Sequence, residues 1–460
     1  KRCPRSESHL DYCLQSLPRS LDETYERILC SIDEGSIEEA RRILTLLCFS
    51  SPPLTVQELI DGIAVDFHEP ACLNRRRRLQ DADDLREKCP GLIDVGTKVD
   101  DETQFVATRD SEIEETTPTL RIAHFSVQEY LESDRIKQQK AAAFAIQSAA
   151  AHAEIAQICL VYLQEPGLSS GNLDYTKLDE FPLAYFAAMF WHHHYKNAIG
   201  TTSCLDNLIL RIFQQHQGSF HTWVKLHNVD TPWKTRVAFS LDSSDIASPV
   251  YYASLVGLDR VLHELINICQ EHAIEGRDLN KANGRYGNAL QAASAEGHSK
   301  VVQMLMDVGA DVNTQGGYYG NALQAASVGG HIKVVQILIN AGADVNTQGG
   351  FHNNALQAAS VEGHNKVVQM LIDIGANINT QGGYYSNALQ AASARGHSKV
   401  VQILMDVGAN VNAQGGFYNN ALQAASYRGH NKVVQMLIDG GAVDQENSID
   451  DGEHVHLDRL

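Results

Sequence analysis

The string Asn-Ala-Leu-Gln-Ala-Ala-Ser begins at Asn288, Asn321, Asn354, Asn387 and Asn420, each 33 residues after the last. Residues 288–320 and 387–419 agree at 27 of 33 positions. Self-similarity at this period means one small supersecondary unit, repeated. A unit this short cannot bury its own apolar face, so neighbours must stack into a solenoid. Within each unit the pattern predicts two helices. Asn321 is placed to N-cap a short first helix with Leu323, Ala325 and Ala326 on its apolar face. Gly330 and its equivalents Gly297, Gly363, Gly396 and Gly429 sit where the chain must turn. A second helix carries Val334, Val335, Leu338 and Ile339 at helical spacing, and Gly342 follows as its C-cap.

The period, the Gly-His followed by Val-Val-Gln-x-Leu, and the Gly-Ala-Asp/Asn-Val-Asn that ends each unit resemble the ankyrin repeat. The resemblance implies a module that holds another protein rather than one that catalyses a reaction. The usual Thr-Pro-Leu-His is replaced by Asn-Ala-Leu-Gln, as at Asn354 to Gln357. Losing the proline removes some pre-organisation at the first helical position. Glutamine keeps a hydrogen-bonding side chain without the geometry of histidine, and the fold is expected to survive. His298, His331, His364, His397 and His430 follow the turn glycines and are expected to bond to neighbouring loop backbone. Upstream, residues 248–266 read as a degenerate sixth repeat that caps the array.

The front of the chain has a different pattern. Ser20-Leu-Asp-Glu23, Thr55-Val-Gln-Glu58 and Ser126-Val-Gln-Glu129 are spelled as capping boxes, with Ser126 as the N-cap of the last helix. Helices are predicted from Ser20 to Ile32, through Ile37 to Leu47, from Thr55 to Ala64 and from Leu79 to Lys88. Short β-like runs follow at 92–95, 104–107 and 120–125, with a polar insertion at 110–117. Helices, a small sheet and a closing helix make a winged helix. The expected organisation is a helical remnant at 1–35, a winged-helix domain at 36–136, a helical spacer at 137–244, ankyrin repeats at 245–442 and an acidic disordered tail at 443–460. The stronger spacer helices are 144–163 and 181–194. The expected fold class is mainly α: a winged-helix domain and helical spacer followed by an ankyrin-repeat solenoid.

Composition narrows the function. The formal charge of −19 repels phosphate backbones, so nucleic acid is not expected as a partner. The longest alanine-rich stretch, 141–163, contains His152 and Glu154, so no membrane span is expected. Residues 1–8 are polar and lack a signal-peptide pattern, and without an initiating Met the first residue is not expected to be the natural start. Nine cysteines lie at irregular spacings without a Cys-x-x-Cys pair, which suits reduced thiols and a cytoplasmic location. His192-His193-His194 lacks ligand spacing, so no metal is expected. Arg75 to Arg78 reads as a solvated helix edge beside Asp81, Asp83 and Asp84. The weaker alternative is a DNA-binding winged helix.

Residues 17–29, 53–59, 89–93 and 123–131, the last reading Ala-His-Phe-Ser-Val-Gln-Glu-Tyr-Leu, resemble the region after the NACHT module of fungal NLR-like proteins, members of the STAND class of signalling ATPases. The winged helix resembles the one named after GPI inositol-deacylase-like proteins. The resemblance implies that His124 contacts the β-phosphate of ADP when a NACHT module is present; the alternative is a histidine that closes a strand within the winged helix. The chain contains no Gly-Lys dipeptide and hence no P-loop, so no cofactor is expected on the chain alone. No Gly-x-Ser-x-Gly nucleophile elbow is expected, so hydrolase activity does not carry over and the chain is not expected to be an enzyme. Two readings remain open: the regulatory and sensing region of such a receptor, or a free-standing ankyrin adaptor.

The candidate partner-binding residues are the rings at the loop tips between repeats: Tyr286, Tyr318, Tyr319, Phe351, His352, Tyr384, Tyr385, Phe417 and Tyr418. Aromatic side chains offer a large contact area with few rotatable bonds. Gly-Gly before each pair suits a tight finger. The alternative is that the rings stack on one another and stabilise the fingers. The repeats also differ at one site near the inter-helix turn, occupied by Glu296, Gly329, Glu362, Arg395 and Arg428.

Overall fold

Each 33-residue unit folds as two short helices and a projecting loop. The first helices are Ala289–Ala295, Ala322–Val328, Ala355–Val361, Ala388–Ala394 and Ala421–Tyr427. The second are Ser299–Asp307, Ile332–Asn340, Asn365–Asp373, Ser398–Asp406 and Asn431–Asp439. The computed structural model describes residues 20–443 apart from 69, 98–117, 171–172, 199, 201–202, 216, 234–236, 273–279 and 281–283. It divides into two units, residues 1–227 with 235–239 and residues 228–234 with 240–460.

The N-cap forms as the sequence leads one to expect, whereas the second helix is C-capped by Ala341, with Gly342 at φ 86° one residue beyond. Asn321 is the N-cap, and its side chain accepts from Gln324 N at 2.8 Å. Leu323, Ala325, Ala326, Val334, Val335 and Leu338 are buried, whereas Ile339 is only half-buried. Neighbouring first helices pack directly on one another, which the alanines permit by letting backbones approach closely. Gly330 has φ 65°, and a Cβ there would lie 2.5 Å from the His364 ring. The Gly-His pair is thus one device: the glycine turns the chain and leaves room for the next repeat's imidazole.

That imidazole bonds differently from expectation. His331 Nε2 donates to the Ala295 carbonyl at 2.9 Å, and His364 and His397 donate to Val328 and Val361, each at 2.8 Å. The acceptor is the last residue of the preceding repeat's first helix, not a loop. A helix C-terminus leaves carbonyls without intrahelical donors, so this is where a donor is needed. The buried Gln324 side chain works in the other direction. Its amide donates to the Thr347, Gly349 and Asn353 carbonyls at 3.2, 3.3 and 3.0 Å, which fastens the next finger.

The degenerate repeat forms helices Pro249–Val256 and Asp259–His272, with Ser248 as N-cap. His298 Nε2 joins it to the array by donating to the Leu255 carbonyl at 3.1 Å. Residues 228–233 belong to the same unit. Asp230 accepts from Tyr251 Oη at 2.5 Å and from Arg285 N at 2.7 Å. The Arg285 guanidinium lies 3.9 Å from the centre of the Trp233 ring and 4.6 Å from that of Tyr318.

In the other unit, Leu21–Leu29, Ile37–Phe49, Val56–Ala64 and Ala82–Lys88 are helices, with Ser20, Thr55 and Asp81 supplying side-chain caps for the first, third and fourth. Strands Ile93–Thr97 and Pro118–Ile122 pair antiparallel, with Val95 opposite Leu120. The expected run at 104–107 and the insertion at 110–117 lie outside the described residues. The closing helix is Phe125–Glu132, and its N-cap is His124 rather than Ser126. An imidazole nitrogen two residues earlier captures the Ser126 N–H, so the helix starts sooner than the capping-box spelling suggests. A two-residue strand pair, Val65–Asp66 with Cys72–Leu73, was not foreseen.

The spacer helices begin later than expected, at Ser148–Leu163 and Ala184–Asn197. Ile155, Cys159, Tyr162 and Trp191 are buried along them, as in helices surrounded by protein.

Because each repeat touches only its neighbours, deleting residues 354–386 should lower the melting temperature without abolishing folding. Scanning calorimetry checks this; complete loss of the unfolding transition contradicts a stack of interchangeable repeats.

Candidate partner-binding site

Each finger is closed by its own backbone. Gly349 N donates to the Asn353 carbonyl, and Gly415 N to the Asn419 carbonyl, both at 2.8 Å. Gly350 has φ 66°, and a Cβ there would meet the Tyr319 carbonyl oxygen at 2.2 Å, so only glycine lets adjacent fingers lie this close. Tyr318 N bonds to the Arg285 carbonyl, Phe351 N to Tyr318 and Phe417 N to Tyr384. The fingers therefore form a ladder at their tips.

The nine tip rings separate into two columns. Tyr318, Phe351, Tyr384 and Phe417 form the outer one. Tyr318 stacks on Phe351 with centroids 5.1 Å apart, and Tyr384 on Phe417 at 5.3 Å. Phe351 and Phe417 are 42% and 56% exposed. Tyr286, Tyr319, His352, Tyr385 and Tyr418 form the inner column, stacked at 5.7 to 6.4 Å where they pair. His352, Tyr385 and Tyr418 are buried, and Tyr385 and Tyr418 pack with Val361, Ala391, Ala394 and Ala424. Within each pair the two rings meet edge to face, as Phe351 and His352 do at 4.9 Å. Such arrangements place the positive ring edge on the negative face and hold both rings still.

The ladder breaks once. Among the described residues, no ring stack and no tip backbone bond joins Phe351 and His352 to Tyr384 and Tyr385. The buried imidazole of His352 is held down to about 4, first by burial and then by Arg395. The Tyr286 phenol is pushed up to about 12 by burial, with Glu296 adding to the effect.

His124 is exposed. Its Nδ1 accepts from Ser126 N at 3.2 Å and lies 2.7 Å from Ser126 Oγ, which is 2.6 Å from Tyr25 Oη. With Nδ1 an acceptor, the neutral ring carries its proton at Nε2, a donor that suits a phosphate oxygen. One donor is not a phosphate cradle, and the backbone nest and lysine of a P-loop are missing from the sequence.

Arg75–Arg77 form a 3₁₀ turn, not a helix edge, and the run is largely engaged. Arg78 Nη2 donates to Asp61 at 2.9 Å, Arg77 lies 3.9 Å from both Glu39 and Asp66, and Arg75 sits over the Phe181 ring. The spelling Gly-x-Ser-x-Gly does occur, at Gly167-Leu-Ser-Ser-Gly171, which corrects the expectation that it is absent. Ser169 ends the short helix Pro166–Ser169 and its Oγ donates to the Glu165 carbonyl at 3.3 Å. It is not perched on a strand-to-helix turn as a nucleophile elbow requires. A cleft of about 340 Å³ is lined by Glu38, Arg41, Arg42, Phe67 and Glu154, but both arginines bind Glu154, and Glu38, 3.9 Å from Arg42, supplies the second negative charge.

The three histidines do not converge. His192 stacks on His227 at 6.4 Å, while His194 Nδ1 lies 2.8 Å from His152 Nδ1. A hydrogen bond between those nitrogens allows only one of them a proton. Among the described residues, no three His, Cys, Asp or Glu are placed to hold a metal ion. Burial holds His192 and His194 down to about 3 and His227 to about 4, from an ordinary 6.5. The unfolded chain takes up these protons near pH 6.5 and the folded chain only near pH 3 to 4. Their contribution is therefore present above pH 6.5 and lost as pH falls through that window. The unfolding temperature of this unit should fall by on the order of 10 °C between pH 7 and pH 5, followed by the fluorescence of Trp191 and Trp223. A flat profile would mean that these histidines are charged in the fold.

Sequence reasoning missed Asp230, Trp233 and Arg285. They are more than 50 residues apart at the extremes, Asp230 and Arg285 being separated by 55, and no local pattern links them.

Among the described residues, no helix is long and apolar enough to cross a membrane. Residues 250–349, 290–382 and 355–448 match the family described as ankyrin repeats (3 copies), and residues 25–147 match the GPI inositol-deacylase winged helix domain. The curated "Azaphilone pigments biosynthesis cluster protein L" of Monascus ruber is 51% identical over 308 residues, 66% of this chain and 63% of that protein. The chain thus spans less than two thirds of that relative. The crystal structure of the human ASB11 ankyrin repeat domain aligns with a TM-score of 0.38 at 25% identity, over 43% of this chain and 85% of that one. This chain carries an ankyrin-repeat array preceded by a winged-helix domain of the GPI inositol-deacylase type.

Proposed function

We propose that the array holds a partner protein on its finger tips. We further propose that the chain is the regulatory and ligand-sensing C-terminal region of a fungal NLR-like signalling receptor in the cytoplasm, with a NACHT module before the winged helix. The observation that carries the first part is the division of the rings. An inner column, buried at His352, Tyr385 and Tyr418, gives the fingers a rigid base, and an outer column, exposed at Phe351 and Phe417 and half-buried at Tyr318 and Tyr384, stands on it. Rigid, partly exposed aromatic rings lose little freedom on binding and bury much area, which is how interface anchors work.

The receptor context rests on domain order, the front-end resemblance and a fungal relative. In this reading the chain performs no catalysis and holds no nucleotide alone; its partners are proteins, not nucleic acid or membrane. His124, with its Nε2 proton available at a helix N-terminus, serves as a phosphate contact only when the NACHT module is present. The second reading is a free-standing adaptor. It is favoured by the self-contained way in which His124 caps its own helix through Ser126.

The two columns can be tested against each other. Changing Tyr318, Phe351, Tyr384 and Phe417 to Ala should abolish partner binding with a melting temperature within a few degrees of the parent. Changing Tyr319, Tyr385 and Tyr418 to Ala should cost about 3–5 kcal/mol per fully buried ring and lower the melting temperature sharply. Binding that survives the outer-column variant removes the rings from recognition.

For the receptor reading, sequence upstream of residue 1 should encode a P-loop in frame. His124→Leu should be silent in this chain and activating in the longer protein. A well-folded but inactive long variant assigns His124 to structure alone.

A further inference from the structure

The first helix of each repeat ends on one exposed residue: Glu296, Gly329, Glu362, Arg395 and Arg428. They recur every 33 residues at the same C-cap, so they form one row along the array. The row runs beside the inner ring column. Arg428 Nε donates to Tyr418 Oη at 2.8 Å, and its guanidinium carbon lies 5.8 Å from the centre of that ring. Arg395 interacts with Tyr385 and His352, Glu296 with Tyr286 and Tyr319, and Glu362 with Tyr319.

The row changes sign once. Its first three members are Glu, Gly and Glu, and its last two are Arg and Arg. The fold does not dictate these choices, because the surrounding repeats are nearly identical and the same C-cap accepts all three residue types. A guanidinium at a helix C-terminus complements the helix dipole, whereas a carboxylate opposes it, so Glu296 and Glu362 gain nothing from that site. In a chain of net charge −19, two arginines in adjacent repeats are also a local reversal. A second, independent observation falls at the same place. The finger ladder breaks between Phe351–His352, which precede the Glu362 helix, and Tyr384–Tyr385, which precede the Arg395 helix.

We propose that the finger tips and the C-cap row beside them are read in two halves by one extended segment of the partner protein. Glu296 and Glu362, with the first three fingers, take its basic stretch. Arg395 and Arg428, with the last two fingers, take its acidic stretch. The partner segment therefore binds in one direction only. Opposite charges set orientation and reject reversed partners even where each exposed pair adds little affinity. This inference rests on the partner-binding reading above and adds the chemistry of the ligand.

A phage library of random linear peptides, panned on the full chain, tests it. Enriched peptides should carry Lys/Arg and Asp/Glu stretches in one fixed order. A synthetic copy of an enriched peptide should lose about tenfold in affinity for the Arg395→Glu/Arg428→Glu variant. Replacing the peptide's own acidic residues with Lys should restore affinity to that variant, and reversing the order of the stretches should weaken binding to the parent. Peptides without charge order, or affinity unmoved by the double substitution, overturn the proposal. If such peptides still fail to bind when Tyr318 and Phe417 are changed to Ala, the ring-borne reading stands and only the polarity falls. No enrichment overturns both.

Discussion

Gln324 sits buried between two repeats, 1% exposed, with its amide donating to three carbonyls of the following finger. Gln291 likewise reaches three carbonyls of its following finger, and Gln357 and Gln390 reach two each. A finger is an irregular loop whose carbonyls have few backbone partners, and buried carbonyls without donors are costly. The glutamine supplies those donors from the neighbouring helix. It therefore makes the loop of one repeat part of the core of the one before, while the repeat histidine ties the same unit back to its predecessor's helix end. Stacked alanines bring the helices close, but these two polar links set the register in which they stack.

Rigidity at the finger tips follows from that anchoring. With the finger base held by glutamine, the glycines at positive φ bring adjacent loops close together, and the tip rings stack on either side of the one break in the ladder. One ring of each pair turns toward the helices and the other stands on it. The same ladder thus supplies stability and an exposed surface, and the two roles are divided between neighbours in sequence. His352 stacks on Tyr319 but not on Tyr385, so the column is interrupted there while Gln357 still fastens the next finger.

The winged-helix and spacer unit manages its polar groups by matching them internally. Arg78 meets Asp61, Arg41 and Arg42 share Glu154, and buried imidazoles stay neutral beside one another. A buried charge without a partner would cost several kcal/mol, so pairing or neutrality is what burial demands. Basic and histidine-rich strings that look reactive in one dimension are consumed in this way by the fold.

The sequence by itself determined the repeat period, the two helices of each unit, the asparagine caps and the glycine turns, because each depends on residues within one or two turns of one another. The helices of the front domain and two of its strands were legible for the same reason. The helix start at His124 was not, since a side-chain cap from an imidazole competes with the Ser-x-x-Glu spelling and wins only through its geometry. Nor was the clamp of Asp230 and Trp233 on Arg285, or the partners of Arg75 to Arg78, which come from segments far apart in the chain. The nine tip rings were visible as a set, but their division was decided by tertiary structure alone. Adjacent residues on a tight loop must point in different directions, and only the packed helices of the neighbouring repeat determine which direction is buried.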